Sequence, residues 1–68
     1  MMMRKIGELL WVVDAPDDKG HDIRIRYRPG NRRFKYSVYC DQHHLNSWAS
    51  LEGAQEHVER LLKNFENQ

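Results

Sequence analysis

Two consecutive stretches decide the fold: Asp22-Ile23-Arg24-Ile25-Arg26-Tyr27-Arg28 and, after Pro29-Gly30-Asn31-Arg32, Arg33-Phe34-Lys35-Tyr36-Ser37-Val38-Tyr39-Cys40. Ile23, Ile25 and Tyr27 alternate with Arg24, Arg26 and Arg28, and Phe34, Tyr36 and Val38 alternate with Arg33, Lys35 and Ser37. Neighbouring side chains of a strand point to opposite sides, so this period of two predicts strands over 22–28 and 33–40, each with one buried face. Pairing Tyr27 with Phe34 sets Ile25 opposite Tyr36 and Ile23 opposite Val38, leaving a four-residue loop, Pro29-Gly30-Asn31-Arg32. A three-residue loop would put Tyr27 against Arg33 and mix the faces. A two-residue Pro-Gly loop keeps parity, but proline cannot take the positive φ that such turns demand.

Upstream, Glu8–Val13 (Glu-Leu-Leu-Trp-Val-Val) is rich in β-formers and predicts another strand, ended by Pro16. Leu9, Trp11 and Val13 are expected in the core, with Leu10 and Val12 on the other face. Downstream, Asp41–Ser47 is a polar connection that leaves room for a fourth strand over Leu45–Trp48. Ser50 then has the chemistry of an N-cap, and Glu52 puts negative charge where a helix dipole is positive. Leu51, Ala54, Val58, Leu61, Leu62 and Phe65 recur at helical spacing and predict an amphipathic helix over 51–65. The expected fold is a single α+β domain over residues 1–68. It is a three- or four-stranded antiparallel β-meander with one C-terminal amphipathic helix packed on one face.

Composition narrows the class. Of 68 residues, 40% are hydrophobic and 31% charged, with seven aromatics, which excludes a disordered charged tail. The longest apolar run, Leu9–Val13, is far short of the ~18 residues of a membrane span. Met1–Met3, with Arg4 and Lys5 behind, lacks the apolar stretch of a secretory signal. The one cysteine, Cys40, cannot form an internal disulfide. Together these predict a cytoplasmic location and no membrane partner. So short a chain has little from which to build a closed pocket, so no enzymatic activity and no cofactor are expected.

Charge is where the sequence speaks of function. The net charge is +1, but residues 23–39 carry six basic side chains and no acidic one, whereas both flanks are net negative. In the Tyr27–Phe34 register, Arg24, Arg26, Arg28, Arg33 and Lys35 share the face away from the helix, with Arg32 in the loop. Cross-strand pairs Arg28–Arg33 and Arg26–Lys35 repel. An external anion relieves that repulsion, and the planar guanidinium fork suits phosphate. Tyr39, on the same face, offers a ring for stacking. The expected function is non-enzymatic binding of nucleic acid, DNA or RNA, through Arg24, Arg26, Arg28, Arg32, Arg33, Lys35 and Tyr39. The alternative is a small inhibitor or adaptor, of the kind phages and mobile elements encode, docking the same face on an acidic protein surface. A solvated strand face, protected from aggregation by its charge, is the plainer reading of the same residues.

Leu10 and Val12 project beside the arginines, where a second copy of the chain (a homodimer) or Trp48 is the simplest cover. Cys40 and His43 have a Cys-x-x-His spacing, with His44 and His57 as further ligands, but structural zinc presents paired ligands at both ends and only one pair exists here, so no metal is predicted. Asp14, Asp17, Asp18 and Asp22 lack the spacing of a calcium loop.

Overall fold

The computed structural model of the chain describes residues 2–14 and 20–66. Five strands, β1 (Met2–Gly7), β2 (Leu10–Asp14), β3 (Ile23–Tyr27), β4 (Tyr36–Cys40) and β5 (His43–Trp48), precede one helix, α1 (Leu51–Glu66). The strands form one antiparallel sheet in sequence order, so β3 is the central strand. The α+β class and C-terminal helix are as expected, but the sheet has five strands rather than three or four. The additional strand, β1, has no apolar alternation, and β5 is mostly polar and begins two residues before Leu45. Both are edge strands, which bury one flank only and carry little of the pattern that identifies a central strand. Asp17 and Asp18 lie outside the described residues.

The core joins one face of the sheet to the helix. Val13, Ile23, Ile25 and Val38 meet Ala54, Val58, Leu62 and Phe65, all buried. Cross-strand partners fall where parity puts them, with Trp11 opposite Ile25 and Ile25 opposite Val38. The helix crosses closest to β4 and β5. The Gly53 amide donates to Ser50 Oγ at 3.1 Å, so Ser50 is the N-cap. Among the described residues no helix is long and apolar enough to cross a membrane.

The hairpin register differs from the expected one by two residues. Tyr27 pairs with Tyr36, Ile25 with Val38 and Ile23 with Cys40, and residues 28–35 connect the strands. A shift of two leaves every side chain on its face, so the sequence pattern tolerates either pairing. The neighbouring strands decide: β2 begins at Leu10 opposite Arg26, and β5 ends at Trp48 opposite Tyr36, so nothing beyond Tyr36 would flank Phe34. Phe34 is therefore 46% exposed, and Leu9, also expected in the core, is 45% exposed. Tyr36 instead closes the core end with Tyr27 and Trp11, at ring separations of 5.2 and 6.1 Å. In the connection, the Arg28 amide donates to the Lys35 carbonyl at 2.6 Å and the Asn31 amide to the Arg28 carbonyl at 3.1 Å.

Both edge strands carry a bulge. Ile6 is the extra residue of β1 and Leu45 that of β5, and both are exposed. Bulges bend an edge away from straight pairing with another sheet. The sheet is also polar end to end. Arg28, Arg32, Arg33 and Lys35 gather at the end where β3 leaves the sheet, and Asp14, Asp22 and Asp41 at the other.

The β4–β5 turn, Asp41-Gln42, has φ of 51° and 72°. Positive φ at both positions is the requirement of a type I′ hairpin turn, and it disfavours any residue with a Cβ. Asp41 is held there by its carboxylate: Oδ1 accepts the Asp22 amide at 2.8 Å and Oδ2 bonds His21 Nδ1 at 2.5 Å. Gln42 has no such anchor among the described residues. Gln42→Gly is expected to stabilise the fold by about 0.5–1 kcal/mol, the strain relieved less the entropy of glycine. A rise of a few degrees in thermal midpoint checks it.

Trp48 lies on the helix side, where its Nε1 donates to His57 Nδ1 at 3.2 Å. It therefore does not cover Leu10 and Val12. Burial, and secondarily the Arg60 charge, lower the His57 pKa. The unfolded chain thus binds a proton more readily than the folded one, and stability from this residue is full above about pH 6.5 and drains away as pH falls through the lower folded value. The urea midpoint is expected to fall between pH 7 and 5, and His57→Gln, which still accepts from the indole but does not titrate there, to flatten that fall.

Candidate nucleic-acid interface

The face away from the helix is open, and its central line is β3. Arg24 and Arg26 stand on this face opposite Val12 and Leu10 on one side and Tyr39 and Ser37 on the other. Arg28 continues the line just past the strand, its Nη2 donating to the Tyr39 hydroxyl at 2.6 Å. The expected repulsive pairs Arg28–Arg33 and Arg26–Lys35 do not form, because Ser37 takes the place opposite Arg26 and the register sends Arg33 and Lys35 into the connection. Arg32 and Arg33 are exposed there, and Lys35 is half-buried. Three arginines thus form the central line of the sheet face, with three further cations in the loop at its end.

Part of this charge is met within the molecule. Arg24 Nε is bound by both Asp22 oxygens, at 2.9 and 3.1 Å. Arg4, brought to the same face by β1, lies 3.5 Å from Asp14. Both pairs are largely exposed and worth little in stability. Among the described residues Arg26, Arg28, Arg32, Arg33 and Lys35 form no ion pair. Their field is directed at solvent.

The charges beside the line, Asp22 on Arg24 and Arg4 with Asp14, are paired within the molecule. Leu10 and Val12 are half-buried on its β2 side. On its β4 side the Tyr39 ring lies 5.4 Å from that of His44 at 53°. His44 Nε2 and Ser47 Oγ are 2.9 Å apart, and Ser47 Oγ is 3.0 Å from Ser37 Oγ, which satisfies the buried Ser37 hydroxyl. Tyr39 separates two shallow clefts. One, of about 280 Å³, is lined by Leu10, Asp22, Arg24, Arg26, Tyr39 and Gln42. The other, of about 350 Å³, is lined by Arg28, Asn31, Ser37, Tyr39, His44 and Ser47.

His44 and Ser47 were not legible as part of this face, whereas Ser37 falls on it by the alternation with Tyr36 and Val38. His44 and Ser47 are an odd number apart, which places them on opposite sides of a regular strand; the Leu45 bulge brings both to the open one. No signal in the sequence marks that bulge.

The cysteine cluster is also rearranged. His44 faces the open side and His57 is bound to Trp48, so neither approaches Cys40 as the Cys-x-x-His reading required. His21, Cys40 and Asp41 converge instead, their ligand-type atoms within 4.8 Å of one another. Hydrogen bonds from the Asp22 amide and His21 hold the Asp41 carboxyl below its usual pKa. Burial, followed by the Asp41 charge, pushes the Cys40 thiol up. A neutral thiol beside a carboxylate that caps the start of β3 is a structural arrangement, and His21 is further occupied by stacking on Phe65 at 4.6 Å. The chain matches no protein-family model, no curated protein and no solved structure.

Proposed function

We propose that this chain is a non-enzymatic binder of nucleic acid, contacting the phosphate backbone through the open face of its sheet. The observation that supports this most is the position of the cations: Arg24 and Arg26 on the central strand and Arg28 just past its end stand on a face that no helix covers among the described residues. Arg26 and Arg28 have no carboxylate partner among the described residues. The planar guanidinium fork loses less entropy per hydrogen bond to phosphate than a lysine does. Arg32, Arg33 and Lys35 extend the positive field beyond the sheet end, and Tyr39 supplies an aromatic face beside it.

The test is fluorescence anisotropy with labelled duplex DNA, single-stranded DNA and structured RNA at low salt. Saturable binding to at least one is expected, and failure with all three overturns the reading. Neutralising about three to five phosphates gives a slope of log K against log salt of about −2.7 to −4.5 on duplex, or −2 to −3.5 on a single strand.

The second reading, an acidic protein surface as partner, draws on a different observation. Phe34 and Leu9 are exposed at the same end as the unpaired cations, and mixed apolar and cationic character suits a protein contact. A pull-down from nuclease-treated extract separates the two, since a protein partner survives nuclease. A second copy docked on Leu10 and Val12 would bury the same arginines, so dimerisation and nucleic-acid binding compete. Light scattering with and without oligonucleotide reads that competition.

A further inference from the structure

We infer that the open face accepts a single, unstacked nucleic-acid strand rather than a duplex, with the backbone along β3 and a base against Tyr39 and His44. The inference rests on the nucleic-acid reading above and adds the form of the ligand. Width argues first. Five strands about 4.8 Å apart span about 19 Å between the outermost two. A major groove is about 12 Å wide and admits a helix or a two-stranded ribbon, so this face enters neither groove of a duplex.

The arrangement of charge argues second. A duplex presents phosphates as two ridges and hides the flat faces of its bases in the stack. The open face has one central line of cations, flanked by Leu10 and Val12 on the β2 side and by the Tyr39 and His44 rings on the other, while Arg4 on β1 is paired with Asp14. Those flanks have nothing to contact on a duplex. A single strand offers a central backbone with bases free to turn aside, and aromatic rings stack any base because every base has a π face. Tyr39 is suited to this role because its hydroxyl is tied to Arg28, which fixes the ring before a ligand arrives. The clefts of about 280 and 350 Å³ on its two sides give bases somewhere to settle.

The experiment compares three labelled probes at about 50 mM salt: a 12-nucleotide single-stranded DNA, the single-stranded RNA of the same sequence, and the corresponding DNA duplex. One base in each single strand is 2-aminopurine, whose emission reports stacking. Both single strands are expected to bind at least about tenfold more tightly than the duplex, with a change in 2-aminopurine emission. Their ratio separates DNA from RNA as the source of the ligand. Tyr39→Leu, which keeps bulk without a π face, is expected to weaken single-strand binding roughly 5- to 150-fold. Its effect on duplex affinity should be no larger than that of Tyr39→Phe, which likewise loses the hydroxyl bonded to Arg28 but should retain the stacking signal. Duplex binding as tight as single-strand binding overturns the inference and leaves the proposed function standing. Equal loss on both forms with Tyr39→Leu overturns it too. Absence of binding to every probe removes both.

Discussion

Ile25→Ala is expected to lower the thermal midpoint by about 10 °C or more, while Phe34→Ala moves it by no more than about 3 °C. Ile25 is completely buried on the central strand, between Trp11 and Val38 and under the helix. Truncating such a residue costs about 2–5 kcal/mol, the lost transfer energy plus the cavity left behind. A chain of this length holds only about 3–10 kcal/mol in total. At about 4–8 °C per kcal/mol, the midpoint falls far enough to leave little folded protein at physiological temperature. Phe34 is the informative contrast. The Tyr27–Phe34 register makes it a core residue, whereas in the structure it is half-exposed beyond the end of the ladder, where substitutions usually cost about 0.5 kcal/mol or less. Circular dichroism melts of the two variants therefore measure the register directly. A large loss with Phe34→Ala would restore the shorter loop.

The second large effect concerns binding. The double variant Arg26→Glu with Arg28→Glu is expected to weaken oligonucleotide affinity by on the order of 100-fold at 50 mM salt and to make the salt slope shallower by about 2. The size follows from counterion release: each phosphate contact contributes close to one power of salt concentration, which between 50 mM and 1 M is roughly tenfold per contact. The control is Arg60→Glu with Lys63→Glu, on the exposed side of the helix, which changes net charge equally. If affinity follows net charge alone, both pairs weaken binding alike, and the open face has no special standing. If the face is the site, only the first pair does. Arg24 is the weaker target, because Asp22 already neutralises it.

How far the sequence could be read depends on how much each element buries. The alternation at 23–27 and 36–40 and the helix stripe from Ala54 to Phe65 are legible because burial on one side imposes a period. The cap at Ser50 is legible because a hydroxyl there has one evident task. Register is a different kind of information. Parity decides which face a residue takes, but a slide by two preserves parity, and only the ends of β2 and β5, themselves poorly marked, select Tyr36 over Phe34. The arginines of β3 could be placed for the first reason; Arg33 and Lys35 were misplaced for the second. Edge strands such as β1 and β5 show weak periodicity because water satisfies their outer flank, and the Leu45 bulge, which builds half of the polar network around Tyr39, leaves no trace in composition.

The cations Arg28, Arg32, Arg33 and Lys35, which form no ion pair among the described residues, make one end of the sheet locally positive despite the near-zero net charge. In the field of a polyanion such a body swings its cationic tip forward before any contact is made. Added electrolyte should therefore slow the encounter itself as well as shorten the residence that follows.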